Sequence, residues 1–348
     1  MTAMSEAVRS LSGDGLAPAL RRVQISSLGT FTPPKVLTNA DLERLVDTSN
    51  EWILQRTGIR ERHIADDDMA TSDLAAEAAR AAITQAGLTA SDIEFLVVGT
   101  TTPDMFFPST ACLVQNRLGA TGAWGFDLSA ACSGFTYALT TAVQFVATGA
   151  HEHALAIGAD VMSRIIDYND RATCVIFGDG AGAVVVSPAA DPELGILDFA
   201  HEIDGSGGPA LQMPAGGSRR PASHETVDQR LHYVHQDGAA VFKFAVRKTG
   251  EMCKRILKRN GLRAADVDLF VSHQANRRII MAAAAKLELP EEKVVINIDR
   301  FGNTTGATIP LALADALADQ RLKKGDLVLL ASVGAGFTVG AVLLRWAY

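Results

Sequence analysis

Three residues of unlike type stand at the ends of short apolar runs, and between them they could carry acyl-transfer chemistry. Cys132 lies between small residues in FDLSAACSGF (Phe126–Phe135), His273 closes the run LFVSH (Leu269–His273), and Asn303 sits in RFGNTTGATIP (Arg300–Pro310). A thiolate attacks acyl groups, an imidazole moves protons or donates a hydrogen bond, and a neutral amide donates to a developing oxyanion. Each residue also has a plain reading. Cysteine is among the most buried residue types, a lone strand histidine is commonly a satisfied core group, and Asn beside Gly commonly makes a turn or cap. Residue type alone leaves Cys132 open between a core thiol and a nucleophile. The run SAACSGFTYALTTAVQFVATG predicts a central helix beginning at the cysteine. That placement would set the thiol at the positive end of the helix dipole and lower its pKa. The other three cysteines, Cys112, Cys174 and Cys253, read as small, buried and inert, and no C-x-x-C pair is present.

The elements that must position these residues come in two similar sets. AGLTASDIEFLVVG (Ala86–Gly99) and NGLRAADVDLFVSH (Asn260–His273) share Gly, Leu, Ala, Asp and Val at one spacing. Each follows a helical pattern, TSDLAAEAARAAITQ (Thr71–Gln85) and VFKFAVRKTGEMCKRILKR (Val241–Arg259), and each enters an apolar run of the kind buried on both faces. The echo continues through FDLSAACSG and IDRFGNTTG, through HALAIGA and LVLLASV, and through GAVVV and GAVLL. Helix, strand, helix, strand, helix, strand, strand is thus written twice. Alternation of this kind predicts two parallel-rich α/β halves, stacked as five α-β-α-β-α layers about a pseudo-twofold. Expected boundaries are a loose leader at 1–20, a first half at 21–190 carrying Cys132, and a second half at 191–348 carrying His273 and Asn303. Sites in such sheets gather at strand C-termini, where all three residues fall.

Composition narrows the class. The 348 residues are 48% hydrophobic and 20% charged, enough for a large core, and the net charge of −7 disfavours a nucleic-acid binder. No apolar run reaches the length of a membrane span, and residues 1–20 lack the apolar block of a secretory signal. A cytoplasmic protein is expected. Of the histidines, His201, His224, His232 and His235 read as loop residues. GDGAG (Gly178–Gly182) and GAGFTVG (Gly334–Gly340) precede β-like runs, which excludes a dinucleotide fingerprint. Residues 239–261 hold seven Lys or Arg against Glu251 alone, a basic helix suited to an acidic partner.

With Cys, His, Asn and a glycine-rich turn in this order, the chain resembles the β-ketoacyl-acyl-carrier-protein synthase III family of thiolase-fold condensing enzymes, from about Val23 to Tyr348. The resemblance is carried by NEWILQRTGIRERHIA (Asn50–Ala65), AACSGF, FGDGAGA, SHQANRRI (Ser272–Ile279), RFGNTTGATIP and GAGFTVG. It implies that Cys132 takes an acyl group from an acyl-coenzyme A, with backbone N–H groups of Cys132 and Ala335 as oxyanion hole. His273 and Asn303 would then stabilise the enolate formed as malonyl-acyl-carrier-protein loses carbon dioxide. It implies coenzyme A contacts by Trp52, Arg171, Arg56, Thr48 and Asn276, an acyl pocket closed by Phe107 across a homodimer interface, and carrier-protein docking by Lys243 and Arg278. No metal and no redox cofactor are expected. Three departures stand out: Ala335 where some members have glycine, Val333 where an aromatic can occur, and a long segment at Gly205–Gln229. A priming ketosynthase-like enzyme of a polyketide pathway is the nearest alternative. A degradative thiolase would need a second cysteine that SVGAGF lacks, and a silent chain-length factor would lack Cys132.

Overall fold

The computed structural model describes residues 20–348, so the expected leader lies, apart from Leu20, outside the described residues. Two sheets form the body. The first runs in the order Val23–Phe31, Gly180–Pro188, Ala154–Asp160, Phe95–Gly99, Trp124–Leu128. The second runs Gly195–Ile203, Thr338–Arg345, Leu327–Gly334, Leu269–Ser272. The orders correspond strand for strand. Where the second sheet would add a counterpart of Trp124–Leu128, the chain makes only an isolated parallel bridge between Phe270 and Val294.

The sheets are mixed rather than parallel-rich. Ladders joined by crossover helices are parallel, whereas Ala154–Asp160 with Gly180–Pro188, and Leu327–Gly334 with Thr338–Arg345, are antiparallel. These second pairs have no crossover helix between them, so the chain returns alongside itself.

Five layers follow from where apolar faces go. Helices Gly134–Ala147 and Thr308–Ala318 lie between the sheets, and Phe135, Leu139, Val143, Ile309 and Leu313 pack there with strand residues of both halves. Thr71–Gln85 buries its alanine-rich face on the outside of the first sheet. Gly238–Arg259 does the same for the second through Met252, Cys253, Ile256 and Leu257. Strands buried on both faces explain their unbroken apolar runs. Among the described residues no helix is long and apolar enough to cross a membrane.

The central helices correspond at a register two residues away from the one that motif matching suggests. The 3-10 turns Ala131–Ser133 and Thr305–Ala307 each lead directly into their helix, at Gly134 and Thr308. Gly306, rather than Thr304, is therefore the counterpart of Cys132. Both turns press on strand ends of the first sheet. A Cβ added at Gly99 would lie 2.5 Å from the Gly134 carbonyl oxygen, and one at Gly158 would collide with the carbonyl of Gly306.

Gly158→Ala should therefore destabilise the protein by roughly 3 kcal/mol in urea unfolding, because backbone cannot retreat on either side. Gly122→Ala, with open space around it, should change stability by no more than about 1 kcal/mol.

Candidate active site

A cavity of about 550 Å³ opens at the junction of the halves, and Cys132, His273 and Asn303 all line it. Cys132 sits in the turn after strand Trp124–Leu128, behind Ala131, whose φ of 48° is left-handed. His273 follows strand Leu269–Ser272 directly. Its N–H donates to the Ala331 carbonyl at 2.7 Å, and its Nδ1 lies 2.7 Å from the Thr308 hydroxyl. Asn303 is pinned by its backbone: its N–H donates to Ile176 at 2.9 Å, and its carbonyl accepts from Gly178 at 3.1 Å. Its Oδ1 accepts from the Thr305 N–H at 2.9 Å, which leaves the amide hydrogens for the cavity that Cys132 also lines.

The glycine-rich turn closes over this group. Gly334 packs so tightly that an added Cβ would stand 2.8 Å from the Cys132 nitrogen and 2.6 Å from the Ala130 carbonyl oxygen. The Thr338 hydroxyl donates to that same carbonyl at 2.8 Å and lies 3.4 Å from the carbonyl of Ala335. Ala335 follows Gly334 on this turn, but unlike Gly334 it is not among the residues that line the cavity. Val333, smaller than an aromatic, faces the cavity, as do Leu211 within the long Gly205–Gln229 segment and Gln236 seven residues after it.

Electrostatics correct one expectation. The thiol of Cys132 is not lowered but pushed up to about 12, first by burial and then by the nearby carboxyl of Asp160, against partial relief from its own N–H and Asn303. The helix proper begins only at Gly134, and a dipole end cannot offset loss of water around a fully buried thiolate. Burial pushes His273 down to about 3, so its imidazole is neutral across physiological pH. The resting pair is a neutral thiol beside a neutral ring.

The remaining residues divide. Trp52, Arg56, Asn276 and Arg278 line the cavity with the central three, whereas Thr48, Arg171, Phe107 and Lys243 do not. Arg171 and Arg56 nonetheless face the Trp52 ring, 5.2 and 5.6 Å from its centroid, so an aromatic and two guanidinium planes gather at the mouth. Arg171 is also held by the Asp47 carbonyl at 2.7 Å. The Thr48 hydroxyl is buried without a partner. Asn276 caps helix Arg277–Lys286 and donates to the Arg56 carbonyl at 2.8 Å, tying the mouth together. Phe107 is 84% exposed and does not line the cavity of its own chain.

Three further expectations are corrected. The basic helix is partly neutralised, because Lys248 and Arg255 pair with Glu202, Arg259 with Asp198, and Arg247 with Glu251. Two of those acids belong to strand Gly195–Ile203, which composition of the helix alone cannot reveal. Lys243, Lys254 and Lys258 make no ion pair among the described residues. Cys112 is exposed, on the outer face of helix Thr110–Leu118, and is not a core thiol. His201 is a strand residue, part-buried with Nε2 2.8 Å from the Thr140 hydroxyl, rather than a loop residue. Sequence reasoning missed Thr305, Thr308 and Asp160. The signals were a row of hydroxyls in GNTTGAT and an acid directly after an apolar strand.

A duplicated body with Cys, His and Asn meeting at its junction defines a thiolase-fold condensing enzyme, a class of acyltransferase. The family description 3-Oxoacyl-[acyl-carrier-protein (ACP)] synthase III matches residues 126–205, and that of its C terminal part matches 257–346. A β-ketoacyl-[acyl-carrier-protein] synthase III from Solibacter usitatus (strain Ellin6076) is 62% identical over 94% of this chain and 99% of its own. The crystal structure of 3-oxoacyl-[acyl-carrier-protein] synthase III from Aquifex aeolicus VF5 superposes with a TM-score of 0.86 at 44% identity, covering 93% of this chain and all of that one. A priming β-ketosynthase from the R1128 polyketide biosynthetic pathway superposes at 0.88, with 33% identity over 96% of this chain and 99% of its own. The chain belongs to the β-ketoacyl-acyl-carrier-protein synthase III family.

A thiol raised by burial ionises only at high pH. Alkylation of Cys132 in the free protein, followed by peptide mass spectrometry, should climb about tenfold per pH unit from pH 7 to 9. A plateau near neutrality would show a thiolate already formed.

Proposed function

We propose that the chain joins an acyl-coenzyme A starter to malonyl-acyl-carrier-protein through an acyl-Cys132 intermediate, giving a 3-oxoacyl-carrier-protein, coenzyme A and carbon dioxide, and so initiates fatty acid synthesis. The carrying observation is the meeting of a buried thiol, a neutral imidazole and an oriented amide in one cavity. Cys132 attacks the thioester carbonyl and loses its proton as the bond forms, since the buried thiolate is not stable beforehand; Nε2 of neutral His273, with the ring proton on Nδ1 toward Thr308, takes that proton and passes it to the departing coenzyme A sulfur. Backbone N–H groups of Cys132 and Ala335 hold the oxyanion. Malonyl-carrier-protein then enters. As its carboxylate leaves as carbon dioxide, negative charge moves onto the thioester oxygen, where Asn303 and His273 donate. This step requires the ring proton on Nε2, which holds when the Thr308 hydroxyl turns its proton from the Thr305 carbonyl to Nδ1. The enolate carbon attacks the acyl-enzyme and frees Cys132. Loss of carbon dioxide drives the step, so no metal or redox cofactor is required.

Trp52, Arg171 and Arg56 suit the adenine end of coenzyme A, because flat cationic and aromatic groups stack on a base. Thr48, whose hydroxyl is buried and unpaired, would reach coenzyme A by turning that side chain outward, and Asn276 lines the channel inward. Lys243 and Arg278 are the contacts proposed for the acidic carrier. A homodimer is supported by strand Trp124–Leu128 at a sheet edge, with Trp124, Phe126, Phe106 and Phe107 exposed along it and beside it. Pairing of two such edges would carry Phe107 toward the partner's acyl pocket. The cytoplasm suits four cysteines that are all free.

Intact-protein mass spectrometry with acetyl-, propionyl- and isobutyryl-coenzyme A tests the reading. An acyl adduct should appear on the wild type and vanish when malonyl-carrier-protein is added. Cys132→Ser should form no adduct, and its persistence would remove Cys132 as nucleophile. Asn303→Ala should keep the adduct while decarboxylation falls by roughly a hundredfold, the range for loss of one oxyanion donor; equal loss of both steps would contradict its role. Separately, Lys243→Glu should raise the KM for malonyl-carrier-protein several-fold while sparing acylation by the coenzyme A thioester. An unchanged KM would reduce Lys243 to a solvated side chain.

A further inference from the structure

Asp160 is sealed from solvent at the end of strand Ala154–Asp160, between the Cys132 turn and the Asn303 loop. Its Oδ1 accepts from the Thr101 N–H at 2.7 Å and lies 3.0 to 3.1 Å from the hydroxyls of Thr100, Thr101 and Thr102. Its Oδ2 accepts from the Thr305 hydroxyl, and from the Gly306 N–H at 3.1 Å. Among the described residues no Lys, Arg or His pairs with it. A carboxyl held in the interior by hydrogen bonds alone carries a desolvation cost that packing does not return.

The pseudo-twofold shows what this carboxyl replaces. Laid at the register that places the two 3-10 turns together, Ala131 corresponds to Thr305, Cys132 to Gly306, and Gly334 to Asp160. Ala131 and Thr305 share the same left-handed backbone, with φ of 48° and 49°. In the first half that turn leaves the Cys132 N–H beside Gly334, at the place assigned above to the substrate oxyanion. In the second half the Gly306 N–H meets Asp160 instead. One copy of the oxyanion hole is open, and the other is filled by the protein's own acid.

Thr305, held by that acid, touches Asn303 directly and reaches His273 through Thr308. Its N–H fixes the Oδ1 of Asn303 at 2.9 Å. Its carbonyl lies 3.1 Å from the Thr308 hydroxyl, which in turn lies 2.7 Å from Nδ1 of His273. A left-handed non-glycine residue is held only where surroundings over-determine it, and Asp160 supplies two of the anchors.

We propose that Asp160 is a positioning residue of the condensation half-reaction: through Thr305 it fixes the orientation of both Asn303 and His273. The proposal rests on the acyl-Cys132 reading given above. Acyl transfer to Cys132 uses the other turn for its oxyanion and needs His273 only as a proton acceptor, whereas decarboxylation needs His273 and Asn303 aligned together as donors, so loss of Asp160 or of the Thr305 hydroxyl strikes the second half-reaction harder.

The test compares Asp160→Asn, Thr305→Val and Thr305→Ser with the wild type in three readouts: the acyl adduct on Cys132 after incubation with the coenzyme A thioesters, carbon dioxide release from malonyl-carrier-protein, and the thermal unfolding midpoint. Asp160→Asn and Thr305→Val should form the adduct within about threefold of the wild-type rate, while carbon dioxide release falls roughly thirtyfold, as expected for mispositioned donors. Thr305→Ser, which keeps the hydroxyl, should restore release to within about threefold. Release at the wild-type rate in Thr305→Val overturns the proposal. So does an equal fall of both half-reactions in Thr305→Val that Thr305→Ser does not rescue, since that marks a framework role only. Should Asp160→Asn fail to fold, the two Thr305 variants decide alone. A wild-type chain that neither takes an adduct nor releases carbon dioxide removes the parent reading, and this proposal with it, whereas a defect confined to the variants leaves the parent reading intact.

Discussion

Everything in the site depends on how closely two backbone turns approach the ends of two neighbouring strands. Gly134 lies on Gly99, and Gly306 lies on Gly158, with no room for a Cβ between them. This contact sits where the two halves meet. It sets the Cys132 turn and the Asn303 loop against one platform, although each comes from a different half. Side chains from two sheets could not otherwise share a cavity while each remained anchored in its own hydrogen-bonded ladder. The core clusters on either side make the platform stiff, because Val97, Ala156, Phe135 and Ile309 all belong to one buried group.

That stiffness has an electrostatic consequence. A site closed so tightly excludes water from the thiol and the imidazole, and both are driven to their neutral forms. Neutrality suits chemistry in which charge appears only transiently. A preformed thiolate would be easily alkylated or oxidised, whereas a buried thiol gains nucleophilicity only as its proton is taken up beside a bound substrate. Likewise a neutral amide and a neutral ring can donate to an enolate oxygen without repelling or trapping it once the charge has moved on.

Much of this was legible in the chain. The repeated AGLTASDIEFLVVG and NGLRAADVDLFVSH segments gave two halves because apolar runs and glycine-terminated helices are local signals, and the strand-end placement of Cys132, His273 and Asn303 followed from them. Register was less legible. Aligning Gly134 with Gly306 by identity misplaced the correspondence by two residues, because a 3-10 turn is specified by backbone conformation and packing rather than by a glycine. The raised thiol was hidden for a similar reason: burial and the approach of Asp160 are tertiary facts, and the helix dipole is the only term that sequence displays. The basic helix looked freer than it is, since its acidic partners Asp198 and Glu202 lie on a strand more than forty residues earlier.

The two halves therefore share a scaffold and divide the labour by what stands at matched points. Where the first half has Cys132, the second has Gly306; where the second has Gly334, with no side chain to occupy the Cys132 N–H, the first has Asp160. Each difference has the same sense. The first turn is kept open and reactive, and its counterpart is closed, filled and used as a mount. A symmetric pair of reactive turns would compete for one cavity and would leave Asn303 and His273 without a rigid support. Filling one hole with a buried carboxyl makes that turn a fixed reference, and the geometry of the open one can then be set against it.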